Sequence, residues 1–438
     1  MYVKRIRTNG HIPLKWWGLV FCIGISGLIC ISKINGSSVL LYGCMALFFA
    51  LCFVFSEYEM ELQFLLFFLP WSPLIKLYPG AISFYTIALI LFCLIGFAKC
   101  RFRLQKYQIL LTTGLVLTSL IAKALQGNGF TNSYFIFFLM LLLFPCVLID
   151  KAEKVSYYNL TVYFSLGIIT AALTAQQVAT MGNISKYITI QSYLRITRLS
   201  GFYGDPNFYS AHVSAAISGV LLLLFQEKQR NQRLILAILG VVLTYCGLLS
   251  ASKMFITVFA LLFLVWVPLI LRRGGRFSSK VALILGVVCT TLILLSSVAF
   301  QELLRILGDR IAYASNLSQL TTGRTDIWKD YIRAILFDPL LLLVGEGYSP
   351  VVLEIKASHN SLIQAFFQFG VVGTGLLGGW AYDAQQRIFS GTIRQKHKTG
   401  FILLMMTGCI LPWMSLDILF FDEFFLLPAF ATIGITEK

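Results

Sequence analysis

The sequence predicts an all-α polytopic integral membrane protein with about 12–14 transmembrane helices, on the strength of its composition and hydropathy pattern. Hydrophobic residues make up 58% of the 438-residue chain and charged residues only 12%. A soluble domain carries about 25% charged residues. Apolar runs of about 20 residues, the length that crosses a bilayer as a helix, follow one another along the chain. The first run, from Leu14 to Ile31, has no small-residue cleavage site after it and so predicts a retained helix.

The candidate spans share this length and apolar content, and they lie near 14–33, 38–55, 60–77, 81–98, 107–124, 131–149, 157–178, 207–225, 232–249, 253–271, 280–299, 360–382, 399–416 and 418–435. The third contains LPWSP, which favours a broken or re-entrant element because proline interrupts helices. The sequence leaves open whether 60–77 and 399–435 are full spans.

Basic residues orient these spans. Lys4, Arg5 and Arg7 place the N-terminus in the cytoplasm by the positive-inside rule, and alternation then makes both termini cytoplasmic. Basic residues on the outer side concentrate in two long loops. The chain accordingly divides into an N-terminal transmembrane bundle (1–178), a first outer loop (179–206), central helices (207–299), a second outer loop (300–359) and C-terminal helices (360–438).

Charge and cysteine content exclude several classes of protein. The net charge of +16 fits cytoplasmic loops lying against anionic membrane lipid. No basic run alternates with aromatic residues, so nucleic-acid binding is not expected. The ten cysteines include no CxxC pair, which argues against zinc and a disulfide framework. Asp417, Asp422 and Glu423 lack the dense spacing of a dedicated metal site, so neither a metal nor a cofactor is expected.

The first outer loop ends in a pattern that suits anion binding. Asp205 and Pro206 are an N-cap and first-turn signal, so Arg198 is predicted near the positive end of a membrane helix. Gly201 and Gly204 let the backbone bend between them. A guanidinium beside a helix N-terminus can hold a phosphate group. The alternative is a surface arginine beside an ordinary helix cap.

The second outer loop contains a predicted amphipathic helix. Its apolar residues recur at helical spacing after Gly323, and Asp338-Pro339 ends the run. Such a helix suits the outer leaflet, with aromatic side chains at the headgroup level. Arg324 stands at its start. The alternative is a packing helix whose arginine merely meets lipid phosphate.

His359 precedes the next span, which Ser358 or Asn360 can cap. The helix dipole disfavours a positive charge on the ring there, and a neutral imidazole can act as a general base. The alternative is a polar residue at the membrane interface. Glycines from Gly370 to Gly379 predict close helix packing in this span.

Two further residues are weaker candidates for the functional site. His212, early in a span, either lines a cavity or packs in the core. Lys253 starts a span on the outer side, where its side chain either snorkels towards water or adds a positive charge to the cavity.

Four short segments in order resemble the O-antigen ligase and Wzy-type polysaccharide polymerase family. They are RLSGFYGDPN (198–207), SASK (250–253), TTGRTDIW (321–328), and GEGYS (345–349) followed by SHNSLIQAFFQFGVVG (358–373). The resemblance is strongest over 195–380, while the N-terminal spans resemble the family in hydropathy alone.

The resemblance implies a bacterial, metal-independent membrane glycosyltransferase of the GT-C type. Its donor would be an oligosaccharide on undecaprenyl diphosphate and its acceptor a second glycan, at the outer face of the inner or plasma membrane. The implied roles are diphosphate binding by Arg198 and Arg324, with Arg195 and Lys253 as further candidates, catalytic base by His359, and support by Asn360, Asp205 and Asn207. The family often has arginine where Lys253 stands, and lysine lacks the bidentate fork of arginine.

Several functions remain open at this point. A polymerase would use a lipid-linked repeat as acceptor, whereas a ligase would use a terminal lipid or wall acceptor; the polymerase is favoured. Other polysaccharide-assembly proteins, such as a chain-length regulator, are implied partners. A lipid-linked glycan transporter is the alternative class. It is disfavoured because charged residues cluster in loops rather than at span centres. A scaffold subunit of an envelope assembly is a third reading.

Overall fold

The computed structural model describes residues 14–54, 60–99, 105–127, 132–152, 155–189, 191–193, 196–227, 229–272, 323–347, 357–390 and 398–436, with scattered positions between 281 and 321. Most of the predicted span 280–299 and most of 300–322 therefore fall outside the described residues.

The described residues up to 178 include seven α-helices. They are α1 (Trp16–Asn35), α2 (Ser38–Phe53), α3 (Met60–Phe68), α4 (Phe84–Lys99), α5 (Lys106–Gln126), α6 (Asn132–Ala152) and α7 (Tyr157–Val178). The expected break after α3 is present: a 3-10 turn, Leu69–Trp71, follows it and irregular backbone leads to α4. The segment 60–77 is thus not one continuous helix.

A small hairpin and three long helices follow. Strands β1 (Gln191–Tyr193) and β2 (Ile196–Arg198) pair antiparallel and precede α8 (Pro206–Gln226), α9 (Arg230–Leu249) and α10 (Lys253–Arg272). The hairpin is a detail that the sequence reasoning missed in an otherwise helical chain. A 3-10 turn, Gly201–Tyr203, connects it to α8.

The C-terminal part contains α11 (Arg324–Phe337), α12 (Pro339–Val344), α13 (Ser361–Ser390), α14 (Lys398–Cys409) and α15 (Glu423–Thr436). As predicted, α11 ends at Asp338-Pro339. The same pair also starts α12, because the Asp338 carboxylate accepts hydrogen bonds from the amides of Leu340 and Leu341, 2.9 and 3.2 Å away.

The fold is an all-α polytopic membrane protein. Among the described residues, eight helices are long and apolar enough to cross a membrane, and further apolar helices are shorter. The long ones begin at Trp16, Lys106, Tyr157, Pro206, Arg230, Lys253, Ser361 and Lys398. The last of these runs to Ser415 because a 3-10 turn extends α14, whereas α15 has only 14 residues.

Helix α8 lies at the centre of the packed helices. Glycines allow its neighbours to approach: a Cβ on Gly219 would lie 2.8 Å from the Tyr157 hydroxyl of α7 and 2.6 Å from Phe430 of α15. A Cβ on Gly408 of α14 would lie 2.4 Å from Ser218. This close packing fixes the start of α8, and so the residues ahead of it, relative to the start of α15.

Proline explains how α6 is joined to its neighbours. Pro145 lacks the amide hydrogen that would pair with the carbonyl of Leu141, four residues earlier. Two other helices supply the missing donors. Trp380 Nε1 of α13 lies 2.9 Å from that carbonyl, and Gln108 Nε2 of α5 lies 3.3 Å from it. Helices α5, α6 and α13 are therefore linked through a carbonyl group inside the bundle.

Candidate functional site

The first group of predicted site residues meets at the turn between α9 and α10. Arg198 donates from Nε to the carbonyl of Ser250, at 3.0 Å, and from Nη2 to that of Ala251, at 3.2 Å. Ser252 Oγ donates to Asn207 Oδ1 at 2.8 Å, and Lys253 begins α10 directly afterwards. The predicted anion site at Arg198 thus differs in one respect, since two of the five guanidinium donors hold backbone carbonyls.

Asp205 lies at the start of α8, as the sequence predicts. Its carboxylate accepts a hydrogen bond from the amide of Asn207 at 2.8 Å, and Pro206 occupies the first turn. Asn207 in turn reaches the turn before α10 through Ser252. The beginnings of α8 and α10 are therefore joined by hydrogen-bonded side chains.

Helix α11 carries Arg324 at its first residue and Trp328 one turn later. Residues four apart share a helix face. The indole Nε1 of Trp328 donates to the carbonyl of Ser358 at 2.9 Å, which ties this face to the residue before His359. On the same helix, the Tyr331 ring packs edge-on against Phe367 of α13, with centroids 5.0 Å apart. The predicted amphipathic helix is present and docked on α13.

Asp417 organises the segment that contains His359. Its Oδ2 accepts the His359 amide at 2.9 Å, and its Oδ1 accepts the Asn360 amide at 3.1 Å and the Ser358 hydroxyl. Ser358 and Asn360 are almost completely buried. One carboxylate therefore satisfies three donors that would otherwise be unpaired or poorly placed in a buried turn.

Arg324 lies within electrostatic range of both acidic residues of the site. Burial lowers the pKa of its guanidinium, while the carboxylates of Asp205 and Asp417 act in the opposite direction. Asp205 comes from the start of α8, and Asp417 comes from the turn that holds His359. The guanidinium therefore lies in the electrostatic field of both loops.

His359 has a left-handed backbone, with φ 49°. The other non-glycine residue with this geometry in the described part of the chain is Ala251, in the turn that Arg198 contacts. Such residues are strained and often found at functional sites. Asn360 caps the following helix, because its Oδ1 accepts from the amides of Leu362 and Ile363 at 3.0 and 3.2 Å. Within the described residues, no hydrogen bond or ion pair engages the His359 ring.

Helix α13 is broken at Gly370, where φ is 60° and ψ is −170°. Residues 361–369 form a separate first segment, which Asn360 caps and which begins two residues after His359. The loop after α12 fills the break: the Glu346 amide donates to the Phe367 carbonyl at 2.9 Å, and Gly345 lies against Gly370 with no room for a Cβ on either. Irregular backbone at membrane depth is tolerated when it is buried in protein.

These glycines serve different purposes. Close packing is confirmed at two of them, because a Cβ on Gly373 or Gly379 would lie 3.3 or 3.4 Å from a leucine of α5, whereas Gly375 and Gly378 face open space and Gly370 forms the break. A sequence cannot distinguish a glycine used for close packing from one used for a positive φ without the neighbouring element.

The structure brings together Arg198, Asp205, Asn207, Arg324, His359 and Asn360, and it places Lys253 beside the Arg198 turn. Arg195 lies outside the described residues. Sequence reasoning placed Trp328 on the apolar face of the amphipathic helix and treated Asp417 as a solvated carboxylate rather than a metal ligand. Instead, Asp417 accepts hydrogen bonds from the His359 turn. Its position beside the last two spans was the available signal, since a carboxylate in an apolar region requires donors.

Comparison of the chain with family models, with curated proteins and with solved structures gives no match.

Proposed function

We propose that the protein is a membrane-embedded glycosyltransferase that polymerises a surface polysaccharide. It transfers a glycan from a lipid-diphosphate-linked donor to a sugar hydroxyl of an acceptor lipid-linked repeat unit. The observation that carries the proposal is the position of Asp417, which holds the backbone of His359 and acts electrostatically on Arg324. A base for the acceptor and a cation for the leaving group are thereby supported by one carboxylate.

The leaving group needs no proton from the enzyme, because diphosphate already departs readily as an anion. The acceptor oxygen attacks the anomeric carbon of the donor sugar, and the bond from that carbon to the diphosphate oxygen breaks. The bonding electrons leave with the lipid diphosphate, and the hydroxyl proton passes to the His359 ring. Direct attack of this kind inverts the anomeric configuration.

Arg324 stabilises the charge that develops on the diphosphate. A guanidinium at a partly buried position interacts with phosphate more strongly than one in water, and its fork can bind two oxygens. Further positive charge for the diphosphate comes from Arg198, from Lys253 and, by sequence position, from Arg195. Asp205 and Asp417 favour the charged form of Arg324 and so help to keep the guanidinium cationic despite its partial burial.

The proposed setting follows from the charge pattern and the resemblance to the polymerase and ligase family. The donor lipid would be undecaprenyl diphosphate, the site would open to the outer face of a bacterial inner or plasma membrane, and both termini would be cytoplasmic. Transfer to a terminal lipid or wall acceptor, as in a ligase, uses the same donor and the same residues and is the nearest alternative.

A transporter of lipid-linked glycans is the alternative of a different class, and one observation favours it. Transporters place binding sites at broken helices. The break in α13 lies beside Glu346, whose carboxylate attracts Lys123 of α5, an ammonium group with only 2% of its residue surface exposed. Lys123 is nevertheless in the last turn of α5 rather than at its centre.

The test uses purified protein with a lipid-diphosphate-linked oligosaccharide in the presence of a chelator, and products are sized by mass spectrometry. The proposal predicts a ladder of repeats that disappears in His359→Ala and in Arg324→Ala. Asp330→Asn, an exposed change on the same helix as Arg324, is the matched control and keeps the ladder. Transfer to a supplied terminal acceptor without a ladder would establish the ligase. An intact donor with no transfer to either acceptor, but with flux across proteoliposomes, would replace both readings with transport.

A further inference from the structure

A buried polar group beneath the candidate site has no part in the reaction described above. Glu423, the first residue of α15, has 2% of its surface exposed, and His212 of α8 has none. Their side chains meet at 3.2 Å, from His212 Nε2 to Glu423 Oε1. The Tyr203 hydroxyl donates to the same oxygen. A single carboxylate oxygen therefore joins the first outer loop, the central helix and the last helix.

Tyr203 extends this group to a fourth element. Its hydroxyl oxygen lies 3.1 Å from the Leu69 carbonyl and 3.2 Å from Ser72 Oγ, both in the irregular segment after α3. Its ring stacks on Phe208, with an interplanar angle of 2°, and meets the edge of His212. Burial and the Glu423 carboxylate raise the pKa of Tyr203, so the phenol keeps its proton and remains a donor.

One nitrogen of the His212 ring, Nε2, is hydrogen-bonded to Glu423. Nδ1 is buried without a hydrogen-bond partner among the described residues. The tautomer with its proton on Nε2 lets His212 donate to Glu423 and leaves Nδ1 as a lone acceptor. The ring therefore serves as a directional donor to Glu423.

The hydrogen-bonded side chains of Tyr203, His212 and Glu423 lie close in sequence to the carboxylates of the candidate site. Tyr203 lies two residues before Asp205, and Glu423 lies six residues after Asp417. Asp205 and Asp417 are the two carboxylates that act on Arg324. The bond from Tyr203 to Glu423 joins the turn that carries one carboxylate to the turn that carries the other.

We propose that Glu423 is a positioning residue: through Tyr203 and His212 it sets the separation of the turn that carries Asp205 and the turn that carries Asp417. The proposal rests on the proposed function for its activity readout, whereas its structural readout needs no substrate. Glu423 touches no reacting atom in this account.

The experiment measures hydrogen–deuterium exchange of the full chain in detergent or nanodiscs for Glu423→Ala, Glu423→Gln and Tyr203→Phe. Glu423→Ala is expected to speed exchange of the amides of 199–205 and of 416–418 by about tenfold or more, since both turns lose an anchor. Tyr203→Phe speeds exchange in 199–205. Glu423→Gln largely restores protection, because the single amide oxygen can still accept from both Tyr203 and His212, which contact one carboxylate oxygen in the wild type.

The matched control is Thr86→Val, which removes a 2.8 Å hydrogen bond to the adjacent carboxylate of Asp422. It is expected to leave exchange in 199–205 unchanged. Donor titration of glycan transfer completes the test: Glu423→Ala and Tyr203→Phe raise KM for the donor more than they lower kcat, and Glu423→Gln restores KM.

Unchanged exchange in 199–205 for Glu423→Ala would overturn the positioning role, whatever the activity. A Glu423→Gln variant as impaired as Glu423→Ala would overturn it as well, because charge rather than hydrogen-bond geometry would then matter. If the exchange results hold while no variant, wild type included, forms glycan product, the positioning role stands and the proposed function fails.

Discussion

Removal of the Asp417 carboxylate is expected to release the His359 turn from the bundle. The His359 and Asn360 amides donate to Asp417 at 2.9 and 3.1 Å. Hydrogen bonds to charged groups contribute about 1.5–3 kcal/mol each, so losing both amounts to roughly 3–6 kcal/mol. One factor of ten corresponds to about 1.4 kcal/mol. The Asp417→Ala change should therefore open this turn at least about 100-fold more often.

The assay is amide exchange of residues 357–361, measured with the glycan-transfer rate of the same preparation. Asp417→Asn should show an intermediate effect. Its single oxygen can serve Asn360 and Ser358, while its amide nitrogen faces the His359 N–H as a second donor. Asp330→Asn is the control for removing an acidic residue at the surface. Exchange of the His359 and Asn360 amides at the wild-type rate in Asp417→Ala would refute the reasoning, because the turn would then be held by other contacts.

Three further changes test the surrounding architecture. Arg324→Lys keeps the charge but loses the fork, so KM for the donor should rise about tenfold in donor titrations, and an unchanged KM would contradict phosphate binding there. Gly370→Ala places a Cβ 2.5 Å from the Leu343 carbonyl at a φ of 60°. It should lower the free energy of unfolding by about 3 kcal/mol or more. The control is Gly375→Ala, which faces open space and should be neutral or slightly stabilising. Trp328→Phe removes a 2.9 Å hydrogen bond to the Ser358 carbonyl. It should cost about 1 kcal/mol of local stability, seen as faster amide exchange at 357–361. Protection equal to that of the wild type would show that α11 does not support the turn.

Local chemistry made much of this structure predictable. Asp205-Pro206 starts α8, Asn360 caps α13, and α11 runs from Arg324 to the residue before Asp338-Pro339, all as the sequence indicates. Each of these features depends on neighbouring residues in the chain, because caps and helix stops act over a few positions.

The structural features that the sequence did not predict depend on contacts between residues distant in the chain. Asp417 lies 58 residues after His359, and nothing local shows that its carboxylate meets the amides of that turn. The break at Gly370 exists because the loop after α12 supplies a donor to the Phe367 carbonyl, which a glycine pattern alone cannot reveal. Arg198 holds the Ser250–Ala251 turn through two of its donors, which the sequence does not reveal because the turn lies about 50 residues further along the chain.

The buried ionisable groups refine the comparison with transporters. Within the described residues, Lys33, Glu61, Lys123 and Glu423 are each less than 5% exposed. All four lie in the first or last turn of a helix, whereas the fully buried His212 lies within α8 and meets Glu423. Lys33, for example, donates to the carbonyl of Lys76 and covers the ring of Tyr187. Such placement favours structural anchoring of the loops over a charged pathway through the membrane.

The central claim is that Arg324 and His359 transfer a glycan from a lipid diphosphate, and the most direct test counts both products at once. Purified protein is given the lipid-linked oligosaccharide, and mass spectrometry quantifies free lipid diphosphate and new glycosidic bonds. The account predicts one lipid diphosphate per bond formed, an inverted anomeric configuration, and loss of both products in His359→Ala. Release of lipid diphosphate without a new bond, or full transfer by His359→Ala, would contradict it.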